Sequence, residues 1–501
     1  MPLCEGCGRL NPGYSSKPTA DELADEIIQI EALMSKLSER RTIIRRRINT
    51  LAPISRLPSE ILLEIFTLYC KAEPDTEAPH PSPLFLGSVC VAWRTLVWST
   101  PLLWRSIHIN VSLAHRTRRA DVLLEWLMRA RSVPLHIKLT ATEEDEDVFS
   151  SIRSTMAILL RRSEQWGSID CILPPQCHDM LAAHRFPNLK SVTFRPPKGT
   201  ISTFSRPPDM FLNTPSLTDV DLSGYDYSSM VLPWHQLHKF RTQFLRVAEC
   251  LAILHRSPNL IHCDLDHIYS VETAPNSLSP PNSPNAPSRH IHENLEVLEL
   301  GFIKGSAAES FFNSVSLPSL RELALHFGHE NSVAFPPTFL RALHSSAAFV
   351  GLQKLSLSQG SLDDQDVIQC LELLPTLVEL KIRNTSTSSF GDSIFDAPKG
   401  LSRRLISRLY RREGDPKEVL VPKLRYFEYE GNLVCGVGDL VNMLAWRLEQ
   451  EMGRHSGVEK LESFVLVVPS CATLDEGQRS LIRSLAERGV DLRILQRGKG
   501  L

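Results

Sequence analysis

Residues 294–300 read NLEVLEL, with apolar side chains at the first, fourth and sixth places counted from Leu295: Leu295, Leu298 and Leu300. On a strand, successive side chains point to opposite faces, so the leucines face inward and the residues between them outward. The pattern recurs, usually after Pro or Asn. It appears as NLKSVTF (Leu189), SLTDVDL (Leu217) and NLIHCDL (Leu260), then as SLRELAL (Leu320), GLQKLSL (Leu352) and TLVELKI (Leu377). KLRYFEY (Leu424) and KLESFVL (Leu461) close the series, and QLHKFRT (Leu237) is a weaker copy ending in Thr242. From Leu189 onward the intervals are 28, 20, 23, 35, 25, 32, 25, 47 and 37 residues.

Many of these intervals are near the 20–29-residue period of leucine-rich repeats, and helical stretches such as FLRVAECLAILHRSP and DLVNMLAWRLEQEM lie between the strands. A strand–helix unit cannot bury its apolar edge alone, so the spacing predicts units stacked into a curved solenoid over residues 161–497. Residues 111–160 supply linking units, begun by VLLEWLMRARSVPLHIKL at 122–139, and DEGQRSLIRSLAERGVDLRIL caps the array. Residues 274–290, rich in Pro, Ser and Asn, are expected to form a flexible loop. The outward positions of three successive strands are Asp219 and Asp221, then Lys239 and Arg241, then His262, Asp264 and Asp266. Parallel pairing would set acidic, basic and acidic rows side by side. Mixed-sign strips favour orientation and partner choice, so these seven residues are the candidate substrate-binding set.

Upstream, residues 1–18 are punctuated by Pro, Gly and Ser and are expected to be disordered. Thr19 and Glu22 have capping-box spacing. Leu23, Ile27, Ile30, Met34, Leu37, Arg41, Ile44, Ile48 and Leu51 then follow in alternating steps of four and three, predicting a coiled-coil helix over 19–52. The alternative is one long helix lying along its own chain. Pro53 ends the segment. In LPSEILLEIFTLYC, residues 57–70, Pro58 suits a helix start, and Glu60, Glu64 and Thr67 make one narrow polar stripe that Lys71 continues. Apolar residues occupy the remaining circumference, enough for the domain's own core and for a second surface.

A Pro-rich insertion follows, and then LGSVCVAWRTLVWSTPLLW. Phe85, Leu86, Val89, Cys90, Trp93 and Leu96 predict one second amphipathic helix there. Trp93, Trp98 and Trp104 are dense enough to mean a compact core or a partner interface. Taken in order, ISRLPSEILLEIFTLYC, the insertion, this segment and the preceding heptad helix resemble an F-box protein of the fungal type, over residues 53–110. F-boxes are short all-α modules that dock on the Skp adaptor of SCF-type (cullin-RING) ubiquitin ligases. The resemblance implies that Leu57, Pro58, Ile61, Leu62, Ile65 and Phe66 belong to the docking helix. It likewise implies that Val89, Cys90, Trp93 and Leu96 belong to the second helix.

Composition narrows the function classes. At 501 residues, with 42% hydrophobic and 22% charged, the chain is ordinary globular material, and its net charge of −2 gives no general case for nucleic acid. No apolar run approaches a membrane span, and the N-terminus lacks an apolar signal core. Eleven scattered cysteines fit reduced thiols in the cytoplasm or nucleus. Cys4 and Cys7 have half of a zinc site's spacing, but the next cysteine is Cys70. GVGDLV at 436–441 lacks the third glycine of a dinucleotide loop, and no nucleophile–base constellation stands out.

The expected fold class is therefore α+β/repeat: a coiled-coil helix, an all-α F-box and an α/β leucine-rich-repeat-like solenoid. The expected function is a non-enzymatic substrate-recognition adaptor of an SCF-type ubiquitin ligase, with no cofactor or metal. Its expected partners are the Skp adaptor, the cullin and a protein substrate, with a homodimer through 20–52 and neither nucleic acid nor membrane. The alternative is an F-box/repeat scaffold acting outside ubiquitin transfer.

Overall fold

The structure, a computed structural model, describes residues 19–71, 81–111, 119–141, 146–182, 184–197, 211–227, 231–270, 289–303, 305–327, 351–359, 364–384, 400–410, 419–431, 433–448, 457–468, 483–484, 491–496 and 499–500. The expectations for residues 1–18, for 274–288 of the Pro-rich loop, for the insertion at 72–80 and for most of the terminal cap lie outside the described residues. The chain divides into two compact units, Met1–Ser106 with Asp121–Val133, and Ile107–Ala120 with Pro134–Leu501.

The first unit is helical. Helix α1 (Ala20–Leu51) opens on a capping box, in which Thr19 Oγ1 accepts the Glu22 amide and Glu22 Oε2 accepts the Thr19 amide. It ends before a short turn at Pro53–Arg56, and none of its residues is buried. Among the described residues none covers its apolar seam. Helix α2 (Ser59–Lys71) buries Leu62 and Phe66.

The single second helix expected around residues 85–96 is corrected to two, α3 (Pro83–Val89) and α4 (Val91–Ser99). Cys90 is extended between them, and its Sγ accepts the Trp93 amide as the cap of α4. The break folds α3 back onto α4. A Cβ at Gly87 would lie 1.9 Å from the Trp98 ring, and Arg94 Nε donates to the Gly87 carbonyl at 2.8 Å. Helix α5 (Arg119–Ala130) closes the unit. The Trp126 ring meets Trp104 edge-on at 5.0 Å, Trp104 meets Trp98 at 5.3 Å, and the Arg129 guanidinium lies over both Trp98 and Trp104. Of Trp93, Trp98 and Trp104, the last is fully buried, whereas Trp93 and Trp98 are half-buried.

The second unit is a sheet. Its strands are β1 (Ser106–Asn110), β2 (Leu135–Thr140), β3 (Trp166–Ile172), β4 (Ser191–Arg195), β5 (Asp219–Asp221), β6 (Lys239–Gln243) and β7 (His262–Ile268). There follow β8 (His290–Ile291), β9 (Val297–Phe302), β10 (Val315–Ser316), β11 (Glu322–Phe327), β12 (Lys354–Gln359) and β13 (Glu379–Asn384). The chain finishes with β14 (Tyr426–Gly431), β15 (Ser463–Val468), β16 (Asp491–Gln496) and β17 (Lys499–Gly500). All but β8 and β10 form one sheet of 15 strands in chain order. The registers from β2 to β16 are parallel, β17 returns antiparallel, and β8 pairs separately with β10.

This corrects the expected fold class. The structure holds an α/β arrangement around one long parallel sheet, not the α+β/repeat architecture with a terminal solenoid. Within the chain the expected coiled coil is a single helix. Every NLEVLEL-type motif does contribute a strand, but the connections between strands are too unequal to build one repeated unit. Helices α6 (Glu146–Leu160), α7 (Val247–Arg256), α8 (Gly305–Ser314), α9 (Asp364–Glu372), α10 (Arg403–Arg408) and α11 (Val437–Leu448) occupy some connections. Among the described residues, others hold short 3₁₀ turns, at Pro175–Met180 and Trp234–Gln236. One face of the sheet is dry: Val192, Val220, Phe240, Cys263, Leu298, Leu323, Leu355 and Leu380 stand in successive registers, all buried. The other face carries the charged residues.

Candidate functional site

Two surfaces, one in each unit, gather the residues singled out by sequence. On α2, positions four apart share a face. Leu57, Ile61 and Ile65 follow that step outward, with Ile61 49% and Ile65 42% exposed, and Leu68 and Tyr69 extend the face. Pro58 is also exposed. Leu62 and Phe66 turn the other way into the core, where the Phe66 ring meets Trp93 at 4.7 Å. The ten candidates therefore divide by environment. Leu57, Pro58, Ile61, Ile65 and Val89 are free for contact; Leu62 and Phe66 hold the unit together; Cys90, Trp93 and Leu96 are half-buried. Leu84 and Phe85 on α3 are exposed as well. Sequence periodicity grouped Phe85 with Leu86, Val89, Cys90, Trp93 and Leu96 on one continuous helix, which the break at Cys90 divides.

On the sheet, parallel pairing sets Asp219, Lys239 and His262 in one row and Asp221, Arg241 and Asp264 in the next. The second row is wired by ion pairs. Arg195 Nη2 reaches Asp221 Oδ2 at 3.0 Å, and Arg241 Nε reaches Asp264 Oδ2 at 2.9 Å. Ser223 donates its amide and its hydroxyl to the other Asp221 oxygen. His262 Nε2 lies 3.3 Å from Glu299 Oε1 on β9. Asp264 is buried, and that burial outweighs Arg241 and pushes its carboxyl up to about 6, helped by Glu299 and Asp266. Glu299 moves the other way, held below the usual range chiefly by its hydrogen bond with His262.

Asp266 sits where the β7–β9 register slips between Leu265 and Ile268. His267 follows at φ 54°, its Nδ1 3.0 Å from Asp266 Oδ2, and its ring packs on Phe244, itself at φ 62°. The carboxylate leans across β9, where a Cβ at Gly301 would lie 1.8 Å from Asp266 Oδ1. No sequence signal announces this kink. His262, Asp264, Asp266 and His267 look like ligands only when written in a row, because each is already engaged by a neighbouring side chain in the fold.

Sequence reasoning missed Glu299, which continues the second row in register with Asp264, and Arg195, which reaches Asp221 from two residues past its register on β4. It also missed a second charged ladder farther along the face. There Lys354 pairs with Glu322 at 2.6 Å, Lys381 with Glu379 at 2.8 Å, and Arg383 with both Glu428 and Glu430 at 3.5 Å. Tyr426 donates to Glu462 at 2.5 Å, and Arg425 joins the same carboxylate. Glu379, Lys381, Tyr426, Glu428, Asp491 and Arg493 border a depression of about 240 Å³. The same outward-position rule, carried through every copy of the motif, finds this ladder too.

Among the described residues no group of three or more His, Cys, Asp or Glu is arranged to hold a metal ion, and no helix is long and apolar enough to cross a membrane. Cys4 and Cys7 lie outside those residues. Burial raises the thiols of Cys171, Cys250, Cys263 and Cys370 away from the thiolate form a nucleophile or ligand needs. No family model matches the chain, and no curated protein matches it.

Proposed function

We propose that the chain is a substrate-recognition subunit of an SCF-type ubiquitin ligase, binding the Skp adaptor through the outward face of α2 and a protein substrate through the charged face of the sheet. The observation that carries the proposal is the division of α2. Leu62 and Phe66 satisfy the core, while Leu57, Ile61, Ile65 and Leu68 leave a continuous apolar stripe facing water. A contiguous exposed apolar surface of this kind marks an interaction site. Its sequence setting is the F-box resemblance of residues 53–110. The charged ladders suit protein recognition by register and orientation. The covalent chemistry would fall to other subunits, and the task of this chain would be to hold the substrate near them.

Affinity purification of the full chain, followed by identification of bound subunits, tests the proposal. Adaptor and cullin should be recovered together, and ubiquitin conjugates should accumulate on a captured protein when the proteasome is inhibited. Recovery of the adaptor without cullin would favour a scaffold outside ubiquitin transfer.

A further inference from the structure

Helix α1 has an apolar seam that is exposed among the described residues. Leu23, Ile27, Ile30, Met34, Leu37, Ile44, Ile48 and Leu51 are all exposed, with Arg41 the one interruption. A helix that packs on nothing has only intrinsic propensity to hold it, whereas most helices in proteins depend on a packed apolar face. The charges along α1 say what the seam fits. Residues 20–35 carry Asp21, Glu22, Asp25, Glu26 and Glu31 and no basic residue. Residues 36–51 carry Lys36, Arg40, Arg41, Arg45, Arg46 and Arg47 against Glu39 alone.

In heptad terms Ile27, Met34, Arg41 and Ile48 occupy one seam position, and Leu23, Ile30, Leu37, Ile44 and Leu51 the other. A parallel pair would lay acid on acid and base on base. It would put Glu26 beside Glu31, Arg40 beside Arg45, and Arg41 against its own copy in the core. An antiparallel pair reverses each conflict. Leu23 then meets Ile48, Ile27 meets Ile44, Met34 meets Leu37 and Arg41 meets Ile30, with Glu31 adjacent to receive the guanidinium. Along the flank Glu26 faces Arg47, and the two-fold axis repeats every contact. We propose that α1 pairs antiparallel with α1 of a second copy of this chain, the acidic half of each helix lying on the basic half of the other.

Sedimentation velocity of the full chain tests this, using the wild type, Glu26→Lys, Arg47→Glu, and an equimolar mixture of the two variants. Both positions are exposed, so neither change disturbs a core. The wild type should be dimeric at micromolar concentration. Each variant alone should associate roughly tenfold more weakly, because two flanking ion pairs become two repulsions. The mixture should recover dimer, since the new lysine of one copy then faces the new glutamate of the other. A monomeric wild type, variants that dimerise like the wild type, tighter association of Glu26→Lys, or a mixture no tighter than its components would each overturn the proposal.

Discussion

Arg241 Nε on β6 lies 2.9 Å from Asp264 Oδ2 on β7, although the arginine is half exposed and the aspartate nearly enclosed. The two residues do different work. Asp264 is a buried anion that depends on its neighbour, whereas Lys239, in the adjacent row, is exposed and free of that duty.

Reversals at these two positions should therefore behave differently. Lys239→Glu should weaken substrate capture and leave the melting temperature within a degree or two, as surface changes do. Arg241→Glu should weaken capture and also lower the melting temperature, because it strands Asp264 among Glu299 and Asp266. Binding assays beside thermal melts check this. A melting loss for Lys239→Glu would make that row structural.

The same pair sets a pH dependence. Folding raises the Asp264 carboxyl from 3.8 to about 6, so the folded chain holds that proton more tightly than the unfolded chain. Its stabilising contribution is fully present below about pH 4 and is lost as pH rises through about 6. Denaturant titrations of wild type and Asp264→Asn at about pH 4.5, 6 and 7.5 should show the wild type losing ground to the variant as pH rises. A constant difference between the two would remove the carboxyl from this role.

Gly87 should be intolerant of any side chain. Its missing Cβ lets α3 lie against a Trp98 ring that is already held between Trp104 and Arg129. Gly87→Ala should cost about 1–3 kcal/mol, as overpacking does, and reduce adaptor binding through loss of the helical unit. Denaturation followed by tryptophan fluorescence measures it.

Arg447, on α11, is fully buried and donates to three carbonyls: Leu409 at 2.8 Å, Leu420 at 2.9 Å and Val421 at 3.2 Å. Val421 is held at φ 42°, a backbone region that such a residue avoids. Arg447→Met keeps the stem but leaves the carbonyls unpaired, and should destabilise the sheet unit by roughly 3 kcal/mol. Arg447→Lys should rescue little, because a single ammonium cannot span the fork. Chemical denaturation reads both.

Strand positions were legible because alternation is local: Leu295, Leu298 and Leu300 declare their faces whatever surrounds them. The capping box at Thr19 and Glu22 was legible for the same reason. The fold class was not, since motifs spaced 20 to 47 residues apart show where strands lie but not how the chain between them is shaped. The break at Cys90 also escaped, because it depends on the contact between Gly87 and Trp98 rather than on a Pro or Gly at the break itself. Asp264 was readable as an outward residue. Its enclosure by Arg241 on β6 and Glu299 on β9 came from two neighbouring strands that no single motif contains.

Docking of the Skp adaptor on the outward face of α2 would bury Ile61 and Ile65. Titration calorimetry of purified adaptor into the full chain, wild type against Ile61→Asp with Ile65→Asp, tests it most directly. Each buried isoleucine is worth about 1.5–3 kcal/mol, so the double variant should weaken binding by at least about a hundredfold. Its far-ultraviolet spectrum and melting temperature should stay those of the wild type, because neither residue is in the core. Unchanged adaptor affinity in the folded double variant would mean that the adaptor does not dock on this face of α2.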